Sequence, residues 1–355
     1  MDKTIRVGIA GMGFGAQVHL PALQRLDGVS VTALADGGSG RAAKIAATLS
    51  APVSTYRDGV TMARASDVDL VVVATPPATQ TAIVFAALES GKAVYCEKPF
   101  GVSLDEAEAM ATAAIAARRP NAVGFQFRQD PGIRYLVEEI RSDRVGAVHR
   151  IDVAWLTSGG RAIGRNWSWR HDAKTSGGVL PEYGSHVLDY LTLLAHPQGS
   201  SKPQPITAVT MHAHTAVTRR PEGSSDRAVT GCDRIEMLVE IGDVVAHVSI
   251  SNVEPVALGH RITVHHDQGR LVLLHRPPFG NADLRILAET AAGESALPIN
   301  IISPEGGDSR IAATSALLTG IVSQLRDNQP VPGLPSFQDG LAARRAMAMA
   351  EASVA

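Results

Sequence analysis

Four short segments of this chain bring together residue types suited to chemistry. The first is Gly11-Met12-Gly13-Phe14-Gly15-Ala16. A glycine at 11 permits a tight turn. A glycine at 13 has no Cβ, so a phosphate group can approach the backbone. Ala16 is small enough for a following helix to pack close to a preceding strand, and the unpaired N–H groups of that helix's first turn would face the phosphates. Asp36 stands 20 residues beyond Ala16, where it can accept hydrogen bonds from two ribose hydroxyls. That is chemistry for holding a dinucleotide, with Gly11, Gly13, Phe14, Gly15, Ala16 and Asp36 as the contacting residues. The other three segments are Thr75-Pro76-Pro77, Glu97-Lys98-Pro99, and Gly177-Gly178-Val179-Leu180 continuing to Gly184-Ser185-His186-Val187-Leu188-Asp189.

The elements that must position these segments follow from the hydrophobic pattern. Ile5 to Ala10 is an apolar, β-branched run that leads straight into the glycine turn. A helical stretch to about Leu26 and a second strand, Val29 to Ala35, come next. Val68 to Ala74 is the most apolar strand, broken at its carboxyl end by Thr75-Pro76-Pro77, where ligands bind in open parallel sheets. A helix to Leu88, a strand Ala93 to Cys96, a capping box at Ser103 and Glu106, a helix to about Arg118 and a strand from Asn121 complete the alternation. This predicts an α/β chain whose residues 1–122 form a doubly wound parallel Rossmann sheet.

From there the pattern changes. A helix opens at Asp130-Pro131, a strand spans Val148 to Leu156, and a helix runs from roughly Glu182 to Leu194. Long strands follow over Ile206–Val217, Arg234–Ile241, Val244–Val253, Arg261–His266 and Arg270–Leu274, with hairpin turn signals between several of them. Residues 123–355 therefore read as an α+β domain with an open, mainly antiparallel sheet, its C-terminal helix able to pack back on the first domain. Residues 196–205 and 218–231 read as surface loops. Val244, Ala246, Val248 and Ile250, with Met237 and Val239, alternate so as to make an apolar sheet face. Without helices to cover it, that face predicts a homodimer or homotetramer assembled through the sheet.

Composition excludes several classes. The chain has 355 residues, 45% hydrophobic and 19% charged, an ordinary globular balance. Lys plus Arg number 33 against 35 for Asp plus Glu, a net charge of −2, so no basic surface for nucleic acid is expected. No apolar run approaches the ~20 residues of a membrane span. Two cysteines, Cys96 and Cys232, make neither a disulfide framework nor a zinc pair, which points to a reducing cytoplasm. His212 and His214 share a strand face, but no acidic or cysteine ligand accompanies them, so no metal is expected.

Together, in this order, the glycine fingerprint, Thr75-Pro76-Pro77, Glu97-Lys98-Pro99 and the Gly177–Asp189 segment resemble the Gfo/Idh/MocA oxidoreductase family. The resemblance runs through the chain. It implies an N-terminal domain binding NAD(P), with Thr75, Pro76, Glu97 and Lys98 also at the cofactor, and an α/β domain that covers the nicotinamide. It implies that Lys98 reaches the reacting hydroxyl, that the Lys98–Pro99 bond is cis, and that His186 is the acid/base. Histidine has the intrinsic pKa for removing a hydroxyl proton as hydride leaves carbon. Glu182 lies four residues before His186, on one helix face, where a carboxylate could fix the imidazole tautomer. Phe127, Trp167, Trp169, Arg170 and Tyr183 are candidates for contact with a carbohydrate-like substrate. The chain departs from the family in three places: Glu182 replaces the usual Asp, Gln80 a frequent His, and Phe127 stands where cyclitol dehydrogenases often carry arginine. Asp36 followed by Gly37 and Gly38 favours NAD(H), with NADP(H) allowed by Ser39 and Arg41. The rival reading is a catalytically silent dinucleotide sensor, as galactose-pathway repressors use a similar fold.

Overall fold

The computed structural model describes residues 4–142, 145–162, 164–195, 203–276, 283–298 and 308–354. The chain forms two compact units, and no single cut near residue 122 separates them: residues 1–129 join 304–341, and 130–303 join 342–355. A stretch late in the sequence returns to complete the first unit.

The first unit is built on six parallel strands, β1 (Ile5–Ala10), β2 (Val29–Ala35), β3 (Ser54–Tyr56), β4 (Leu70–Val73), β5 (Ala93–Cys96) and β6 (Asn121–Val123), in the order β3-β2-β1-β4-β5-β6. Its helices are α1 (Leu20–Leu23), α2 (Arg41–Ala46), α3 (Gly59–Ala63), α4 (Pro77–Glu89) and α5 (Leu104–Ala117). Strands β1, β4 and β5 are almost wholly buried, as their mostly apolar content requires, with Arg6 in β1 the one charged residue. The order reverses beside β1, so the carboxyl ends of β1, β2, β4 and β5 share the edge where such sheets bind ligands.

The helix after the glycine turn is shorter and differently wound than the sequence predicts. Gly15–His19 is a π-helical turn, closed by the Leu20 N–H donating to the Gly15 carbonyl, and α1 ends at Leu23. Pro21, with no N–H, cannot donate an α-helical bond to Gln17, so the wider turn is tolerated there.

In the second unit, α6 (Pro131–Arg141) and α7 (Ser185–Leu194) lie against an eight-stranded sheet. Its strands are β7 (Val148–Leu156), β8 (Ile206–His214), β11 (Arg234–Ile241), β12 (Val244–Ser251), β13 (Gly259–His266), β14 (Gly269–His275), β15 (Leu284–Thr290) and β16 (Gly293–Leu297), in the order β16-β15-β14-β13-β7-β12-β11-β8. All pairs are antiparallel except β7 with β12, which run parallel because β7 enters the middle of the sheet from a distant part of the chain. The stretch 218–231, expected as loop, contains a small hairpin, β9 (Arg219–Glu222) with β10 (Ser225–Ala228). Of the other expected loop, residues 196–202 lie outside the described residues.

The expected apolar docking face needs correction. Val244, Ala246, Val248, Ile250, Met237 and Val239 do line one sheet face, but each is buried within this chain. The Cδ1 atoms of Ile235 and Ile250 sit 3.8 Å from where a Cβ on Gly184, just before α7, would stand. The opposite face is mostly polar. Asp152 lies 2.7 Å from His265 Nε2 and 3.0 Å from Arg150, with His247 at 3.6 Å.

Late in the chain come α8 (Ser309–Asp327) and α9 (Phe337–Ser353). Ile311, Leu317, Leu318, Ile321 and Val322 of α8 belong to the same buried cluster as Val7, Ile9, Leu23 and Tyr95. The Val123 N–H donates to the Pro335 carbonyl at 2.8 Å, and Arg128 pairs with Asp339 at 2.8 Å. No helix among the described residues is long and apolar enough to cross a membrane.

Candidate functional site

The glycine turn is held by its neighbours. Gly11 has φ +101°, a left-handed conformation, and a Cβ there would collide with the Ala74 carbonyl oxygen. β1 and β4 can therefore bring their carboxyl ends together only with glycine at 11. A Cβ on Gly13 would meet nothing within 4 Å, so the backbone is open to a phosphate from that side. The close helix–strand approach expected at Ala16 falls on Gly15, where a Cβ would lie 2.9 Å from Ile9 Cγ2. Ala16 is only half-buried.

Asp36 follows β2 and accepts N–H groups from Gly38 at 2.8 Å and Ala42 at 2.9 Å, and the Ser39 hydroxyl at 3.1 Å. The Ala42 N–H leads in holding its carboxyl below the usual range, so it is anionic at neutral pH. Thr75, just past β4, has a buried hydroxyl with no hydrogen-bond partner. An open Gly13, an anionic Asp36 and an unsatisfied Thr75 on one sheet edge fit the phosphates, ribose and amide groups of a dinucleotide.

Beside them lies Glu97. Its Oε1 is 3.0 Å from His19 Nε2, its Oε2 accepts the Lys98 N–H at 3.2 Å, and its carbonyl accepts from Gln80 Nε2 at 2.9 Å. Gln80 Oε1 in turn accepts the Gly101 N–H at 3.0 Å. These bonds clamp the turn that presents Lys98, whose bond to Pro99 is cis. His19 is wholly buried, and sequence reasoning passed over it. Its one signal, a histidine three residues after Ala16, means little without Glu97, 78 residues away. Arg310 was also missed: its guanidinium lies 5.2 Å from the Phe14 ring centre and pairs with Asp308.

The second unit supplies the remaining candidates. Leu180–Gly184 is another π-helical turn, with Pro181 at its start and the Ser185 hydroxyl donating to the Pro181 carbonyl at 2.7 Å. It delivers His186 into the first turn of α7, 3% exposed. Glu182 makes an ion pair with Arg170, Oε1 to Nε 3.5 Å, so a partner other than His186 is already engaged. Tyr183 packs edge-on against Trp155, and burial pushes its hydroxyl pKa up to about 12. Trp169 carries the Arg170 guanidinium 4.5 Å from its ring centre, and Trp167 carries that of Arg227 at 3.5 Å. One face of each indole is thus already covered by a cation. Phe127 lies in a 3₁₀ turn, Gln126–Gln129, of the first unit and is half-buried. Among the described residues no cluster of three or more His, Cys, Asp or Glu side chains could hold a metal ion.

Strand order, glycine turn and acidic residue define a dinucleotide-binding Rossmann protein. The model of an oxidoreductase family with an NAD-binding Rossmann fold matches residues 5–125, and that of the Gfo/Idh/MocA C-terminal domain matches residues 133–272. The chain belongs to the Gfo/Idh/MocA family of oxidoreductases. Over 145 residues it is 37% identical to the inositol 2-dehydrogenase/D-chiro-inositol 3-dehydrogenase of Shouchella clausii, a stretch covering 40% of this chain and 42% of that protein. Two solved structures share the fold over 99% of this chain. Levoglucosan dehydrogenase in complex with NADH and L-sorbose superposes with TM-score 0.85 at 20% identity, over 97% of its own length. The super-repressor mutant of Gal80p from Saccharomyces cerevisiae superposes with TM-score 0.80 at 17% identity, over 95% of its length.

Proposed function

We propose that this protein is an NAD(H)-dependent dehydrogenase that exchanges a hydride with a hydroxyl-bearing carbon of a sugar-like or polyol substrate. The observation that carries the reading is Lys98, presented at the carboxyl end of β5 on the same sheet edge as the glycine turn, Asp36 and Thr75. NAD supplies a hydride acceptor when bound; Gly11, Gly13, Asp36 and Thr75 would hold it. The Lys98 ammonium orients the substrate hydroxyl and stabilises the alkoxide that develops on it. His186 takes the hydroxyl proton. The inositol dehydrogenase relative and the levoglucosan dehydrogenase structure support a polyol or sugar as substrate. A silent regulator of the same fold, as the Gal80p likeness suggests, would bind NAD(H) and leave every polyol untouched.

The cofactor preference rests on charge. Anionic Asp36 repels a 2′-phosphate, and the Ser39 hydroxyl is already committed to Asp36. Titration of the apo protein is expected to show tighter binding of NAD(H) than of NADP(H), and a panel of inositols, aldoses and anhydrosugars should yield NADH with at least one. Tighter NADP(H) binding sinks the cofactor assignment; binding of NAD(H) with no turnover of any sugar or polyol points to the regulator.

The cytoplasm is the compartment we propose, in keeping with unpaired Cys96 and Cys232. We also propose a homodimer or homotetramer, assembled through the C-terminal sheet. Light scattering at micromolar concentration is expected to show a mass at least twice that of one chain, and a monomer would rule the assembly out.

A further inference from the structure

A small pocket in the second unit, open to solvent, has a cavity volume of about 30 Å³, room for a compact polar group. Arg165, Arg170, His171, Glu182, Arg220 and Asp233 are among its lining residues. Three guanidinium groups face two carboxylates there, and the carboxylates are already engaged. Asp233 accepts the N–H groups of Ala216 and Val217 at 2.9 and 2.8 Å, and Glu182 pairs with Arg170.

Arg220 is the unusual member. It is 3% exposed, yet its guanidinium donates only to the carbonyl oxygens of Gly160 and Ala162, and its Nε has no partner. Arg165 makes no ion pair among the described residues. Asp233 acts on Arg220 only through space, without a hydrogen bond, so three guanidinium groups against two engaged carboxylates leave the pocket with a positive surplus that an anion would offset. The surplus positive charge is felt by His171. Burial first, then Arg220 and Arg165, hold its pKa below the ordinary histidine value.

We infer that this pocket binds the carboxylate of the substrate, so that the dehydrogenase proposed above acts on a sugar acid. A carboxylate is planar and compact, and it matches the guanidinium fork in two parallel hydrogen bonds. The pocket is also close along the chain to the proposed acid/base. Glu182 lines it, and His186 stands four residues further on, a rise of roughly 6 Å along a helix. That span is a few carbon–carbon bonds, so one substrate can place its carboxylate among the arginines and a hydroxyl-bearing carbon at His186. The inference rests on the dehydrogenase reading for the substrate's fate and on the pocket alone for its charge.

D-Gluconate and D-glucitol differ only at one terminus, a carboxylate against a hydroxymethyl group, and so isolate the charge. Calorimetric titration of the NAD⁺-loaded protein is expected to show gluconate binding about tenfold or more tighter, as charge-assisted hydrogen bonds of ~1.5–3 kcal/mol imply. Gluconate should also raise the His171 pKa, followed by NMR. Arg165→Gln, at an exposed position, should abolish the preference with the melting temperature unchanged. Arg220→Lys keeps the charge but loses the fork and should weaken gluconate selectively. Equal binding of gluconate and glucitol, or a preference that survives Arg165→Gln, overturns the carboxylate site and leaves the dehydrogenase reading standing. D-Glucitol 6-phosphate binding more tightly than gluconate also overturns it, in favour of a phosphate site. Arginine-dependent gluconate binding without NADH formation from any sugar acid or polyol keeps the anion site and removes the dehydrogenase reading instead.

Discussion

Replacing His186 by alanine is expected to lower kcat by ~10²–10⁴-fold, the usual contribution of a positioned general acid/base, while NAD(H) affinity stays close to that of the parent. The split follows from placement. The proposed dinucleotide residues belong to the first unit's sheet edge, whereas His186 sits in α7 of the second unit. Lys98→Ala should lose a comparable factor and weaken the cofactor slightly, because Lys98 shares the turn with Glu97 on the cofactor edge. Glu182→Gln separates two roles for that carboxylate. Because Glu182 pairs with Arg170, the substitution is expected to change KM more than kcat; a loss in kcat approaching that of His186→Ala would make Glu182 the residue that orients the imidazole. Turnover assays with fluorescence titration of NADH check all three. Near-normal turnover by the His186→Ala enzyme would falsify the assignment of the base.

A steep loss of stability in acid is expected from a histidine outside this chemistry. His260, in β13, stacks on Trp155 at 4.5 Å between ring centres and shares a 2.9 Å hydrogen bond with the Tyr190 hydroxyl. Burial, with nearby His275 adding to it, drives its pKa from 6.5 to about 3. Above pH 6.5 neither the folded nor the unfolded chain protonates this ring, and its packing is fully retained. Below pH 6.5 the unfolded chain takes up a proton that the folded chain refuses until about pH 3. Stability therefore falls through that window, by up to ~1.4 kcal/mol per pH unit from this one group. Urea unfolding measured between pH 7 and 4 should show the slope, and His260→Gln, less stable at pH 7, should flatten it. An unchanged slope in the variant would assign the acid sensitivity elsewhere.

Local patterns in the chain were readable, and pairings across it were not. Gly11, Gly13 and Asp36 sit at fixed offsets from β1 and β2, so spacing alone placed them at the carboxyl edge of the sheet. Strand Arg234–Ile241 matches the alternation residue for residue, and Val148–Leu156 does so from Ile151 onward. Alternation does not say which side a helix will cover, and so Val244, Ala246 and Val248 were expected outward although they pack inward. His19 and Glu97 meet only because β1 and β5 lie on either side of β4, a contact decided by strand order. Both π-helical turns were read as ordinary helix, since apolar periodicity over four or five residues cannot separate 3.6 from 4.4 residues per turn. Pro21 and Pro181, each early in its helix, were the available signs of interruption.

The return of α8 to the first unit has a consequence for how the protein is made. The glycine turn and all six parallel strands leave the ribosome early, but the core beneath them lacks Leu317, Leu318, Ile321 and Val322 until α8 emerges. Between Gln129 and Pro304 lies nearly all of the second unit. At ~5–20 residues per second its synthesis takes roughly ten to forty seconds. For that interval the nascent first unit exposes an apolar groove where α8 will lie. It is the period in which the chain most needs a chaperone, and a stop codon anywhere before α8 would leave that groove open for good.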